Sequence, residues 1–440
     1  MRKSMLRRYL PVLMGGGAVD LDAMTLEEAM LYLFDVAYWP MTEEAGNAID
    51  HKNGFNVTWS AGGVTRANYA LPNGDSIPTF DGTGEGTMYT TAFRDAFPYN
   101  KGSIVAVMRV PDVATWETDA TQRNVCYFSC TGATNYLMKS SANTLMAYRT
   151  SNTYFDVGGM TSPALIGVTW DTTTGVLQTI TNGNLNVVAL GSQAVATVGT
   201  LLSNYTRIGA YSTASASKWA GNIGHFGLSN KVVTAAQLKS IFNKIFPSAR
   251  KFFIIGDSKS TGANFWPGYL QNALNTATGD YWTDGPRRYA IGGYDITDAK
   301  DFINANLAAE TDTPEFVLIN MGTNDARAAT ITAEAIFKAD YHAVIAACQA
   351  KWPGVPIFCQ RIYRADSAQT ITNSGIINGY IDDIVASYAT GVYDGPDDEV
   401  WAENGDAGAT YLSAADHIHY SVAAHSVLAG LWAAILTPYL

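Results

Sequence analysis

A serine, a carboxamide, a carboxylate and a histidine occur in that order where this chain leaves buried segments. Ser258 stands in Gly256-Asp257-Ser258, straight off the apolar run Phe252-Phe253-Ile254-Ile255, so a hydroxyl is delivered at the exit of a buried strand. Asn324, in Gly322-Thr323-Asn324-Asp325, follows a second buried run at 316–321, and Asp416-His417-Ile418-His419 lies near the C-terminus. A serine hydroxyl is a weak nucleophile at neutral pH and needs a base, ordinarily a histidine oriented by a carboxylate. His419 is three residues past Asp416 and can meet it across a turn; His417, the rival base, is an immediate neighbour and points away. Gly-Asp-Ser by itself is equally a polar turn at a strand end. The order and placement of all the parts is what points to a hydrolase.

These residues need elements to hold them. From Lys251 onward strands alternate with helices: 252–255, a helix after Ser258, 316–321, an alanine-rich helix at 332–351, a strand at 356–360 and a last apolar helix at 426–436. Such alternation predicts a mostly parallel sheet covered on both faces, with its site at the carboxyl ends of the strands. From about Tyr38 to Asn230 the pattern is different. Short alternating or apolar runs, among them 103–110, 165–170, 176–181 and 221–228, are separated by Gly, Asn, Ser and Thr and predict an antiparallel sandwich without long helices. Asn182-Gly183 is a hairpin-turn signal, because a type I′ turn needs positive φ at both central residues. Thr234-Ala235-Ala236-Gln237 reads as a capping box, starting a helix that ends before Pro247, and residues 248–250 form a short join.

The joint pattern over residues 251–440 resembles the SGNH, or GDSL, hydrolase family. That resemblance implies an α/β three-layer, flavodoxin-like domain and a serine esterase. It implies Ser258 as nucleophile, His419 as base and Asp416 as the residue that orients it. It also implies an oxyanion hole built from the backbone N–H groups of Ser258 and Gly293 and the side-chain amide of Asn324. Gly292 is an alternative to Gly293, since adjacent glycines cannot be separated by reading. No metal or organic cofactor is implied. Asp257 and Asp325 read as structural, fixing their loops through backbone hydrogen bonds. Lys259, where the family's short name has leucine, reads as a solvated cation, with attraction of an anionic acyl group as the alternative. Arg361 and Arg364 are substrate contacts or surface ion-pair partners. In the N-terminal half, Trp39-Pro40-Met41, Phe80-Asp81-Gly82, Trp170-Asp171 and Trp219-Ala220-Gly221 resemble the landmarks of concanavalin A-like, laminin-G-like jelly rolls, which implies an all-β sandwich and glycan binding as one use of it. The chain is therefore read as multidomain: a lead-in at 1–35, the sandwich at 36–248 and the hydrolase domain at 249–440.

Composition narrows the partners. The formal charge of −11 opposes nonspecific binding to nucleic acid or anionic membranes, which needs clustered Lys and Arg. The 24 tyrosines and 10 tryptophans suit core packing first and sugar stacking second. In a strand, Cys126 and Cys130 would lie roughly 13 Å apart, beyond the ~7 Å reach of a disulfide; Cys348 and Cys359 read as buried thiols, so cysteine usage assigns no compartment. The basic start Met1-Arg2-Lys3 is followed by too short an apolar run for an export signal, and 426–436 is shorter than the ~18 residues of a membrane helix. Extracellular and virion-associated settings both remain compatible. Thr25-Leu26-Glu27-Glu28 can cap a helix to about Phe34, a docking or oligomerisation segment or, as the simpler reading, an uncommitted lead-in. The expected substrate is an acylated small molecule or polysaccharide, with an O-acetylated glycan first. The alternatives are a short-chain lipase, esterase or thioesterase, and a glycan-binding attachment protein, such as a viral tail component, with little hydrolysis.

Overall fold

A computed structural model of the chain describes residues 19–110, 121–130, 133–139, 145–148, 152–155, 163–171, 173–174, 176–182, 184–185, 200–211, 217–247, 249–260, 266–278, 280–283, 288–400, 411–413 and 416–440. The basic N-terminus, Gly183 of the hairpin signal and Ser248 of the join lie outside the described residues.

In the N-terminal half, two antiparallel sheets share one core. The first runs in the order Asn184–Leu185, Val176–Thr181, Ala164–Asp171, Lys101–Arg109, Ala220–Ser229, Ser76–Asp81, Val64–Ala70, with Ala37–Trp39 also paired to Ala220–Ser229. The second runs Asn152–Phe155, Leu145–Tyr148, Ala133–Lys139, Arg123–Cys130, Leu201–Ile208, Gly86–Thr87, Thr58–Trp59. Side chains alternate along a strand with period two, and both sets are used here. Along Lys101–Arg109, Ile104, Ala106 and Met108 enter the core between the sheets with Phe128, Ile208 and Phe226. Val105 and Val107 point the other way, against Leu238, Ile241 and Phe242 of helix Ala235–Ile245. A strand covered on both faces has no polar side to show, so it reads as a continuous apolar run. Gly167 marks how closely the helix approaches: a Cβ there would stand 2.4 Å from Leu238 Cδ1. Trp39, Phe80, Trp170 and Trp219 are buried in the inter-sheet core, and Asn182 takes the positive φ of 51° that the hairpin signal demands.

The capping box Thr234/Gln237 forms as expected, and so does one at Thr25/Glu28, which opens helix Leu26–Leu33. The lead-in reading fails for that helix. Leu21, Ala29, Met30, Leu33 and Phe34 are buried in the same cluster as Val105, Leu165 and Leu238, because the outer face of the first sheet needs more apolar cover than one helix gives.

The C-terminal half is built on a parallel sheet in the order Trp282–Thr283, Arg250–Gly256, Phe316–Asn320, Ile357–Arg361, Val392–Asp397, with Arg288–Ala290 also paired to Arg250–Gly256. Alternate residues again go to opposite faces. Phe253, Ile255, Val317 and Ile319 pack with Ile303, Phe337, Val344 and Ile381, which lie on helices Ile296–Asn306, Glu334–Lys351 and Ala368–Ala386. Phe252, Ile254, Leu318 and Phe358 pack with Leu270, Leu428 and Trp432, on helices Trp266–Thr278 and Val422–Leu436. The sheet thus has helices on both faces. All four cysteines are buried and none is in a disulfide. Among the described residues no helix is long and apolar enough to cross a membrane.

Candidate active site

Strand Arg250–Gly256 ends in a turn that sets Ser258 apart from the sheet. The Ser260 N–H donates to the Asp257 carbonyl at 3.0 Å, and the Lys259 N–H to Asp257 Oδ1 at 2.9 Å. Gly256 is needed because Ser260 Oγ stands 2.6 Å from where its Cβ would be. Its carbonyl accepts from Ile291 N–H at 3.2 Å, which ties the turn to the segment carrying Gly292 and Gly293. Asp257 is fully buried and holds the turn through its backbone bond, as a structural residue does.

His419 reaches this turn from the far end of the chain. Its Nε2 lies 2.9 Å from Ser258 Oγ and its Nδ1 lies 2.6 Å from Asp416 Oδ2. The other carboxylate oxygen of Asp416 accepts the backbone N–H groups of Ile418 at 2.9 Å and His419 at 3.1 Å. Partial burial opposes ionisation of Asp416, but the hydrogen bonds from the His419 ring and the two N–H groups outweigh it and hold the carboxyl below its ordinary range. An ionised carboxylate only accepts, so Nδ1 is the protonated ring nitrogen and Nε2 is left to accept from the serine hydroxyl. His417 is exposed and sits at φ 54°. Its carbonyl accepts from Ala365 N–H at 3.0 Å, so its backbone links two loops, while the ring contacts to Ser258 and Asp416 are made by His419.

The glycine turn and the asparagine meet at Tyr294. Asn324 Nδ2 donates to the Tyr294 carbonyl at 2.9 Å, and Arg327 Nη2 to the Gly293 carbonyl at 3.1 Å. Gly293 has φ 86°, a conformation open to glycine. A Cβ built on Gly292 stands 3.7 Å from Ser258 Cβ, so Gly292 directly faces the serine. Asp325, next to Asn324, accepts from Ile296 N–H at 3.2 Å at the start of helix Ile296–Asn306. Burial pushes its carboxyl up to about 7.

Three cationic residues resolve differently. Lys259 is 0% exposed, which overturns its reading as a solvated cation: its side chain turns inward, where its Nζ donates to the Tyr363 carbonyl and lies 3.7 Å from Asp398 Oδ2. Arg361 is paired with Asp382 at 2.6 Å and Asp397 at 2.7 Å. Arg364 grips Asp366 through two bonds and donates to the Thr323 carbonyl at 3.2 Å, bracing the loop that carries Asn324. Asp398, Tyr420 and Gln360 around Lys259 escaped the sequence reading. The only sequence signal was a lysine beside the serine, and its direction is set by tertiary structure.

Comparison with known proteins agrees with this geometry. Residues 254–427 match the model of the GDSL-like lipase/acylhydrolase family. No curated protein matches the chain. Among solved structures, a lipase/acylhydrolase from Enterococcus faecalis is 16% identical, with 43% of this chain and 96% of that one covered at a TM-score of 0.35. A carbohydrate acetylesterase from Sinorhizobium meliloti is 13% identical, with 43% and 100% covered at 0.33. A Trypanosoma rangeli sialidase in complex with sialic acid is 9% identical over 47% of this chain at 0.36, and the match spans about a third (32%) of the sialidase. At these scores the structural likenesses carry no argument. The matched segment contains Ser258, Asn324, Asp416 and His419, so it is the part of the chain that carries the site, residues 254–427, that is similar to the GDSL-like lipase/acylhydrolase family, and this supports a carboxylic ester hydrolase.

Proposed function

We propose that the chain is a serine esterase working through an acyl-enzyme, with an O-acetylated carbohydrate as its substrate. The observation that carries the reading of the site is the unbroken chain of short contacts Asp416–His419–Ser258. In this reading the Ser258 hydroxyl attacks the ester carbonyl as His419 Nε2 takes its proton, and Asp416 stabilises the imidazolium that forms. The tetrahedral oxyanion is met by the backbone N–H of Ser258, by that of Gly293 or its neighbour Gly292, and by the second N–H of the Asn324 amide, whose first is committed to Tyr294. His419 then returns the proton to the leaving alcohol. A water activated by the same nitrogen cleaves the acyl-serine.

The carbohydrate part of the proposal rests on the join of a hydrolase to an aromatic-rich β-sandwich. We take residues 36–248 as a concanavalin A-like, laminin-G-like jelly roll that brings the domain at 249–440, a flavodoxin-like three-layer unit, to glycan. The test is acetate release from an acetylated polysaccharide, measured beside Ser258→Ala. Serine-dependent release supports the whole reading. Turnover of p-nitrophenyl esters that rises with acyl length, with none on the polysaccharide, would replace the carbohydrate substrate by a lipid one.

A further inference from the structure

The residues that directly follow Ser258 and His419 in the chain, Lys259 and Tyr420, meet in the interior. Lys259 Nζ lies 4.6 Å from the centroid of the Tyr420 ring. Both engage one carboxylate: Nζ is 3.7 Å from Asp398 Oδ2, and the Tyr420 hydroxyl donates to the same oxygen. Gln360 Nε2 donates to Asp398 Oδ1 at 2.7 Å and to the Tyr420 hydroxyl at 3.0 Å, while its Oε1 accepts from Trp432 Nε1 at 3.2 Å. Lys259 and Asp398 are both 0% exposed, so neither touches a substrate.

Burying an ammonium and a carboxylate together is a weak way to stabilise a fold, since apolar or neutral groups of the same volume commonly fold as well or better. Stability therefore does not account for the pair. What the cluster accomplishes is geometric. Ser258 and His419 are 161 residues apart in the chain, and their 2.9 Å contact must be held by tertiary structure alone. Asp398 is grasped at once by the neighbour of the nucleophile and by the neighbour of the base.

We propose that the buried Lys259–Asp398–Tyr420 cluster is a positioning device that keeps nucleophile and base in register, acting through them. The proposal rests on the reading of Ser258 and His419 given above. It is tested with the full chain on p-nitrophenyl acetate, comparing wild type, Ser258→Ala, Asp398→Asn and the double variant Lys259→Met/Asp398→Asn. Asp398→Asn alone leaves the buried ammonium without the Asp398 counter-charge and lowers both Tm and kcat. The double variant removes the charges together and regains Tm and KM, yet its kcat stays about 10- to 100-fold below wild type, the scale of a misplaced reacting group. Labelling of Ser258 by a fluorophosphonate slows by the same factor. A double variant with wild-type kcat and labelling rate overturns the proposal, as does one that fails to fold, or kcat that simply follows Tm across the set. Ser258→Ala separates the two levels: turnover that survives it removes the reading of the site, whereas turnover abolished by it, beside a fully active double variant, removes only the positioning role.

Discussion

Two neighbouring residues, Asn324 and Asp325, are held in different ways and are expected to answer differently to substitution. Asn324 is held by Tyr294 through one N–H, and in the proposed mechanism its other N–H meets the oxyanion. Its replacement by alanine is expected to lower kcat/KM by the ~2.7–4 kcal/mol typical of one lost oxyanion donor, roughly a hundred- to a thousand-fold, with KM little changed; steady-state kinetics on a p-nitrophenyl ester checks this. Asp325 has a carboxyl raised by burial from 3.8 to about 7, so between those values the folded state binds a proton that the unfolded chain has released. Its contribution is fully present below about 4 and is lost as pH rises through about 7. Thermal melts over that range should show wild type losing ground to Asp325→Asn, whose amide keeps the acceptor for Ile296 N–H; parallel curves would contradict the assignment. That Ser258, His419 and Asp416 come into contact was legible from their order along the chain. The choice between Gly292 and Gly293 was not, because two adjacent glycines differ only in which peptide faces the serine. Nor was the fate of Lys259, since nothing local says whether a lysine after a turn points out or in.

At the scale of the element, legibility followed the cleanness of the period. Strands Lys101–Arg109, Arg250–Gly256 and Phe316–Asn320 were visible because both of their faces are buried, and helices Leu26–Leu33 and Ala235–Ile245 because each carries its own capping box. Helix Ala368–Ala386 and strand Val392–Asp397 were missed. The helix turns Asn373, Ser374 and Asn378 inward, so polar residues occupy the face where an apolar stripe would announce it. They are buried because they bind backbone: Asn378 accepts from Ile362 N–H at 2.8 Å and donates to the Ile362 carbonyl at 2.9 Å, and Ser374 accepts from Arg364 N–H at 3.2 Å. The helix thereby holds the loop that braces Asn324. Asn378→Ala strands two buried backbone groups, each costing about 1–3 kcal/mol, so a loss of roughly 2–6 kcal/mol in denaturant unfolding is expected, together with a fall in kcat. The strand was hidden by its own Gly395 and Pro396, residues that are poor strand formers.

At the scale of the whole molecule, the sheets of the two halves are joined by defined contacts. Asp312 is paired with Lys251 at 2.8 Å on the serine-bearing strand and with Lys239 at 2.5 Å on helix Ala235–Ile245, which covers the sandwich. The Tyr281 hydroxyl donates to the Pro163 carbonyl, and its ring stacks on Phe246 at 4.5 Å. Removing one partner of such a largely buried group of charges costs about 3–5 kcal/mol. Asp312→Ala, which leaves two ammonium groups facing each other, should therefore lower the melting temperature of the intact chain while leaving turnover by the folded enzyme unchanged. The division into an antiparallel and a parallel half was legible from the change of period near residue 251; the packing between them was not, because it rests on single side chains rather than on a pattern. The claim on which everything else depends is that Ser258 is the activated nucleophile. Reaction of the intact chain with a fluorophosphonate, followed by peptide mass mapping, tests it most directly. One adduct is expected, on Ser258, lost in Ser258→Ala and strongly slowed in His419→Ala; an adduct on another residue, or labelling undiminished in Ser258→Ala, would contradict that assignment.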